Sequence, residues 1–440
     1  MPTRPPLRAL PGLLLVMVLV PLDQTAIAPA LPEIAGDLGG IRQMPMVVTA
    51  YVVAVTVAMP VYGVLSDRRG RKPVLMTAIV LFVAGALACA FAPSLGIFVA
   101  ARVVQGLGGG GLMVGAQATL GDLISPRERG RYLGLFGVAY VVPAVAGPLV
   151  GGLLVEVASW RWIFAIHVPL GVIALVTLAL TLHLPSRPDA PTPEDDTGRL
   201  AATFGRRGVL IPMLLSITVG FALFGTVSYV PALARIGFGM SGVQAGLVVT
   251  SMMGGAIITM TVSGRLITKH GTYRRFPIMG TALMFLGALT LGLLGTRLTI
   301  TTLLVVLFVI GLGIGMVMQV MMLVAQNAAD PLAIGVVTSG VLFVRQIGAS
   351  VGAGVVGALV TSSFASRLPQ LPEAATMTPD EIAALPPNLA ALVAEAFGGA
   401  VPAAILTVTP LLAVSFCLAL ALPALPLRTK QEIESLKETP

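Results

Sequence analysis

Long apolar stretches follow one another along most of the chain, separated by short gaps rich in charge or proline. A bilayer span takes roughly 20 apolar residues. Twelve spans are predicted, at 11–31, 45–65, 74–92, 95–120, 131–155, 161–183, 209–234, 241–264, 276–295, 300–326, 333–362 and 401–424. The runs lack the strict alternation of a barrel strand. They are therefore read as helices, which satisfy their own backbone groups in lipid.

Composition agrees with lipid as the main solvent. The chain is 56% hydrophobic and 10% charged, with mean hydropathy +0.96, whereas soluble domains carry about 25% charged residues. The net charge of +8 invites a nucleic-acid reading, which the distribution of charge removes. With the N-terminus inside, 20 of the 27 Lys and Arg residues fall in cytoplasmic segments. Arg42, Arg161, Arg235, Arg297 and Arg367 fall outside, and Arg102 and Arg345 within spans. This positive-inside pattern predicts that both termini are cytoplasmic. Arg4, Arg8 and Ala26-Ile27-Ala28 mimic a signal peptide and its cleavage site. Asp23 interrupts that apolar run, however, and cleavage would invert every later loop, so the first span is read as retained. Trp160 and Trp162 are read as interfacial anchors. Cys89 and Cys417, alone in separate spans, are read as small packing residues.

The proline-rich, acidic stretch 185–208 divides the chain. The predicted units are an N-terminal six-helix bundle at 1–184, the linker 185–208, a C-terminal six-helix bundle at 209–425 with an outer loop at 363–400, and a tail at 426–440. Leu389–Phe397 in that loop is read as part of a partly helical outer cap. The halves look like copies. Gly63-Val64-Leu65 and Gly70 match Gly264-Arg265-Leu266 and Gly271 at one offset, and Gly106-Leu107-Gly108 matches Gly311-Leu312-Gly313. Two parallel repeats are a transporter architecture.

The ten residues Gly63-Val64-Leu65-Ser66-Asp67-Arg68-Arg69-Gly70-Arg71-Lys72, read as an inter-helix loop, resemble the signature of the major facilitator superfamily. Leu22-Asp23-Gln24-Thr25 through Ala30-Leu31-Pro32, Arg102–Gly108, Gly147-Pro148-Leu149-Val150-Gly151-Gly152, Trp160–Phe164 and Arg345–Gly348 are similar to motifs of its 14-spanner drug:proton antiporter branch. The sequence departs from that branch in four places. Only the linker stands where two extra helices would be, Pro143 replaces the first glycine of the fifth-helix motif, His167 replaces the asparagine that follows Trp-Arg-Trp, and Ala28 stands where the first-helix motif often has asparagine. The resemblance implies an all-α fold of two pseudo-symmetric six-helix bundles, with helices one and four facing a central cavity.

Asp23 is the deepest acid in any span, where an unpaired charge costs at least ~2.5 kcal/mol. Burial raises a carboxyl's pKa and suits it to proton exchange. Asp23 and Arg102 lie at similar depths, roughly 12 and 10 Å from the outer ends of their spans at 1.5 Å per residue. A charge pair for proton coupling is expected, with a static structural pair as the alternative. Gly63, Asp67, Arg68, Gly70, Arg71 and Asp122 are the expected conformational latch. The resemblance implies that Asp67 faces the start of span eleven and that the loop cations pair with Asp122. Gly147, Pro148, Gly151 and Gly152 suit close packing with a bend in span five. Gln105, Phe221, Phe224, Tyr229, Met318, Gln319 and Arg345 are candidate cavity residues, generic packing being the alternative for each. His167 is read as a hydrogen-bonding interfacial residue near the membrane edge, with a titrating role as the alternative.

No P-loop, zinc-spaced cluster or nucleophile elbow is present in the sequence. The expectation is therefore a secondary transporter rather than an enzyme, with no cofactor and a proton gradient as its energy source. Proton-coupled export of amphipathic toxic compounds across the cell inner membrane is expected, with lipid and small substrates as the partners, neither nucleic acid nor an obligatory protein. The alternatives are a carrier for a single metabolite and a non-transporting membrane receptor.

Overall fold

The computed structural model describes residues 7–38, 44–184, 202–371, 382 and 385–428. Most of the predicted linker and tail, and part of the outer loop, lie outside the described residues. Fifteen helices carry the argument: α1 (Leu10–Ala26), α2 (Leu31–Leu38), α3 (Met44–Arg69), α4 (Arg71–Ala90), α5 (Leu95–Leu123), α6 (Pro126–Arg129), α7 (Leu133–Val157), α8 (Arg161–Ala165), α9 (His167–Thr181), α10 (Arg207–Ala232), α11 (Gly242–His270), α12 (Arg275–Leu294), α13 (Ile300–Ala328), α14 (Ile334–Arg367) and α15 (Pro387–Leu420). Among the described residues, eleven helices are long and apolar enough to cross a membrane, and α1 is a shorter apolar one.

Several boundaries differ from the sequence reading. The charged 63–72 segment is not a loop. Gly63–Arg69 forms the last two turns of α3, and α4 begins at Arg71, so Gly70 alone makes the corner, with φ 89° and ψ 153°. Its counterpart Gly271 caps α11 with φ 70°. Both corners need a positive φ, which glycine adopts without a Cβ clash. The expected cap Leu389–Phe397 is the opening of α15, because no helix breaker stands between Pro387 and the apolar run that follows. Span six is divided at Ile166 into α8 and α9. Helix α7 runs continuously through Pro143 and Pro148.

The chain forms two compact units. One comprises Met1–Val209 with Ala325–Phe343 and Leu427–Pro440; the other comprises Leu210–Val324 and Val344–Pro426. Each unit is held by glycine columns that bring helix backbones together. In the first, a Cβ on Gly106 or Gly110 would collide with the carbonyls of Tyr51 or Val55 on α3, and one on Gly108 with Ala78 and Phe82 on α4. In the second, Gly311 and Gly315 meet Met252 and Ala256 on α11, and Gly313 meets Gly280 and Met284 on α12. The same glycine spacing thus makes the same helix contacts in both units. Packing of this kind holds helices in lipid, where hydrophobic burial between them supplies little.

Candidate functional site

Asp23 lies on α1, two residues after Pro21, and is fully buried in the first unit. Arg102 on α5 is 1% exposed and donates through Nη1 to both Asp23 oxygens at 2.9 and 2.8 Å. Gln105, one turn further along α5, donates from Nε2 to Asp23 Oδ1 at 2.9 Å and accepts from Arg102 Nη1 at 2.8 Å. The guanidinium lies 4.0 Å from the Tyr51 ring centroid and 5.5 Å from that of Phe164, a cation-π arrangement that partly replaces lost hydration. The Cys89 thiol on α4 donates to Gln105 Oε1 at 3.7 Å. Five helices of one unit therefore converge on a sealed polar cluster.

The cluster changes three readings. Gln105 belongs with Asp23 rather than with the other cavity candidates. Cys89 is engaged by a polar group rather than being mere packing. His167, expected near the membrane edge, is fully buried. Its ring meets Phe82 edge-on at 5.7 Å, and Nδ1 lies 2.8 Å from the Ile163 carbonyl. Tyr51 and His167 were missed as members of the site. A hydroxyl and an imidazole inside apolar runs were the available signals, but a single sequence does not say which way they face.

The latch residues form a second cluster in the same unit. Asp67 accepts from the Gly335 and Val336 backbone N–H groups at 3.0 and 2.7 Å. These are orphan donors of the first turn of α14, where a carboxylate is favoured. Arg71 bridges Asp67 at 2.6 Å and Asp122 at 2.9 Å, and donates to Ser66 Oγ at 2.6 Å. Arg68 is exposed at the end of α3, and it is Arg71 that reaches Asp122. Arg129 is a further member that sequence reasoning missed. It is buried, bonds Gln326, and donates to the Gly121 and Ile124 carbonyls at 2.8 and 2.9 Å. Burial lowers its guanidinium from the usual range to about 10.

Of the fifth-helix motif, Gly147 and Gly151 pack against Thr25 and Ala26 of α1, while Gly152 has open space at its Cβ position and Pro148 is exposed. The glycines were expected to serve packing and Pro148 a bend; Gly147 and Gly151 make the close contacts. Trp160 is not an interfacial anchor. It is fully buried against Phe98 and Phe164, and its indole donates to Asp37 Oδ2 at 2.8 Å. Trp162 is 57% exposed. Hydrogen bonds from Trp160 and then Arg161 hold the Asp37 carboxyl below its ordinary pKa.

In the second unit, Phe221 lines a small apolar recess of about 20 Å³, with Thr226, Met284, Ile310, Val356 and Leu412 among its other walls. Phe224 is half-buried outside that lining, and the Tyr229 hydroxyl donates to the Ala353 carbonyl at 3.0 Å. Met318, Gln319 and Arg345 are buried. Arg345 lies on α14, where its backbone carbonyl closely approaches Gly220 of α10. The repeat offsets place Met252, Leu291, Leu307 and Ile310 where the first unit has Tyr51, Cys89, Arg102 and Gln105. At these four positions the first unit is polar and the second apolar.

Comparison with known proteins agrees with this duplicated architecture. The family model described as Major Facilitator Superfamily matches residues 13–353. An uncharacterized MFS-type transporter of Mycobacterium tuberculosis H37Rv is 31% identical over 463 residues, spanning 92% of this chain and 67% of the relative. The multidrug transporter protein MdtP of Bacillus subtilis is 28% identical, spanning 81% of this chain and 76% of that protein. Among solved structures, the proton:xylose symporter XylE bound to 6-bromo-6-deoxy-D-glucose superposes with TM-score 0.74 at 14% identity, covering 98% of this chain and 99% of that one. The E. coli fucose:proton symporter FucP gives 0.70 at 14%, covering 96% and 100%. With its matched family model, helical repeats and apolar spans, the chain belongs to the major facilitator superfamily and is a polytopic membrane transporter.

Proposed function

We propose that the protein exports amphipathic compounds in exchange for protons, by alternating access of two helical bundles in the cell inner membrane. The observation that carries this reading is the Asp23–Arg102–Gln105 cluster, sealed in one repeat, with Leu307 and Ile310 at the positions of Arg102 and Gln105 in the other. A buried carboxylate with one cation and one amide partner changes its interactions when it takes a proton. Protonation would free Arg102 from its counter-ion and alter how α1 and α5 hold together. The positions of the second unit that match the polar cluster carry Met252, Leu291, Leu307 and Ile310, which suit an apolar substrate better than a polyhydroxylated metabolite. The relatives named as multidrug transporters point the same way.

The test is transport in vesicles. The purified protein is reconstituted and ethidium movement is followed with and without an imposed pH gradient and an uncoupler. Gradient-driven accumulation should be lost in Asp23→Asn while the variant remains monodisperse. Wild-type-like coupled transport in that variant would place the coupling site elsewhere.

A further inference from the structure

Tyr51 is fully buried on α3, its ring centroid 4.0 Å from the Arg102 guanidinium. Glycines of α5 shape its place. A Cβ on Gly106 would come within 2.6 Å of the Tyr51 carbonyl, and one on Gly109 within 3.0 Å of its hydroxyl. The backbone of α5 therefore fixes the ring against a cation that the same helix carries. Arg102 holds both Asp23 oxygens with the single nitrogen Nη1, rather than with the two-nitrogen fork a guanidinium can offer a carboxylate. Its Nε has no hydrogen-bond partner among the described residues. The planar face of the group is left to the aromatic rings, of which Tyr51 is nearer than Phe164 at 5.5 Å. The second unit carries Met252 and Leu307 at the positions of Tyr51 and Arg102, so neither the ring nor the cation stands there.

We propose that Tyr51 is a positioning residue for proton coupling, its ring becoming the main partner of Arg102 when Asp23 is neutral. This rests on the reading of Asp23 as a proton-exchanging acid. With Asp23 ionised, the charges of guanidinium and carboxylate largely cancel, and the negative face of the ring gains little from the pair. Protonation of Asp23 leaves a buried cation without its counter-ion, an expensive state. Gln105 Oε1, 2.8 Å from Nη1, and the Tyr51 ring are what then hold it. A ring face attracts a desolvated, unpaired cation more strongly than a screened one. The ring thus lowers the cost of the neutral-acid state without forming a bond that must break when the proton leaves. Helix α3 carries both Tyr51 and Asp67, so the ring puts the proton-binding cluster and the latch on one helix.

Graded fluorination tests this at nearly constant shape. Phenylalanine and its mono-, di- and trifluorinated forms are inserted at position 51 of the full-length protein by stop-codon suppression. Each fluorine withdraws charge from the ring face. The series is made with Asp23 present and with Asp23→Asn, which holds that position neutral, and melting is followed in one detergent. The Asp23→Asn series should lose stability stepwise, reaching about tenfold in the folding constant, within the range of a cation-π contact. With Asp23 present at alkaline pH the same series should lose clearly less, and in Arg102→Met it should be flat. Gradient-driven ethidium transport with Asp23 present should fall in the same order, with Tyr51→Phe retaining it and Tyr51→Leu losing it. Equal slopes in the two Asp23 backgrounds would overturn the proposal, and so would transport that ignores the fluorines. A Tyr51→Phe protein as inactive as Tyr51→Leu would overturn it too, by assigning the role to the hydroxyl. Wild-type-like coupled transport in Asp23→Asn would sink both readings, and the melting slopes distinguish that failure from a failure of the ring alone.

Discussion

Replacing the Asp23–Arg102 pair one member at a time, and then together, measures what the pair contributes. Asp23→Asn keeps the shape and one acceptor for Gln105 but strands a guanidinium that is 1% exposed. Arg102→Met strands a carboxylate whose other observed donor is the Gln105 amide, at 2.9 Å. Breaking a buried pair from one side costs about 3–5 kcal/mol, whereas removing both charges at similar volume is close to neutral. A domain of 150–250 residues shifts by about 2–4 °C per kcal/mol. Each single variant should therefore melt roughly 6–20 °C lower in detergent. The double variant should recover most of that loss, because the introduced asparagine still accepts from Gln105 and no ion remains. The assay is the apparent melting temperature of the four proteins by dye-free fluorescence under one detergent condition. Additivity of the two single losses to within about 0.5 kcal/mol would refute direct coupling. The double variant should nevertheless lack proton-coupled transport, which separates stability from function.

Four further outcomes follow from geometry. Gly151→Val should abolish folding or transport, since a Cβ there meets the Ala26 carbonyl of α1, while Gly152→Ala should be silent in both assays. Gly271→Asn should be tolerated, because φ 70° and ψ 7° is a region asparagine visits; Gly70→Asn, at φ 89° and ψ 153°, should lose about 1–3 kcal/mol in melting experiments. Asp67→Ala should leave two first-turn N–H groups of α14 unpartnered and lower thermal stability by about 1–3 kcal/mol, with Asp67→Glu intermediate. The Asp37 carboxyl is lowered on folding, so its contribution is present above about pH 3.9 and lost as pH falls through the folded-state value. In a Trp162→Phe protein the emission of Trp160 should stay constant from about pH 8 to 4.5 and redden below that. A midpoint above about pH 5 would contradict the assignment.

Much of the architecture was legible because lipid restricts the choices. Apolar length gave the spans, and glycines at matching offsets gave the repeat, later explained by equivalent helix contacts. The Asp23–Arg102 pairing was also legible, since depth can be counted along a helix. What could not be read was direction. Span five carries four motif residues, but only Gly147 and Gly151 face α1, and no count of residues distinguishes them from Gly152. Trp160 and Trp162 are two positions apart and were read alike, yet one is a core residue and the other faces outward. His167 was misplaced because nothing in an unbroken apolar run says which of its residues face the bundle interior. The charged 63–72 segment was mistaken for a loop because charge was taken to mean solvent, when in fact Asp67 and Arg71 satisfy one another and the neighbouring helix ends.

The first unit is assembled from separated pieces of chain, since residues 325–343 fold with the N-terminal helices rather than with the second unit. The boundary in space therefore does not coincide with the boundary between the two repeats seen in the sequence. A cut placed in the linker would give an N-terminal fragment lacking the backbone donors of Asp67 and the partner of Arg129. The two products of such a cut would carry complementary halves of one hydrogen-bonded junction. Co-expressed, they are built to recognise each other, and exchanging one half for that of a distant relative would break recognition at this junction before it disturbed either bundle's core.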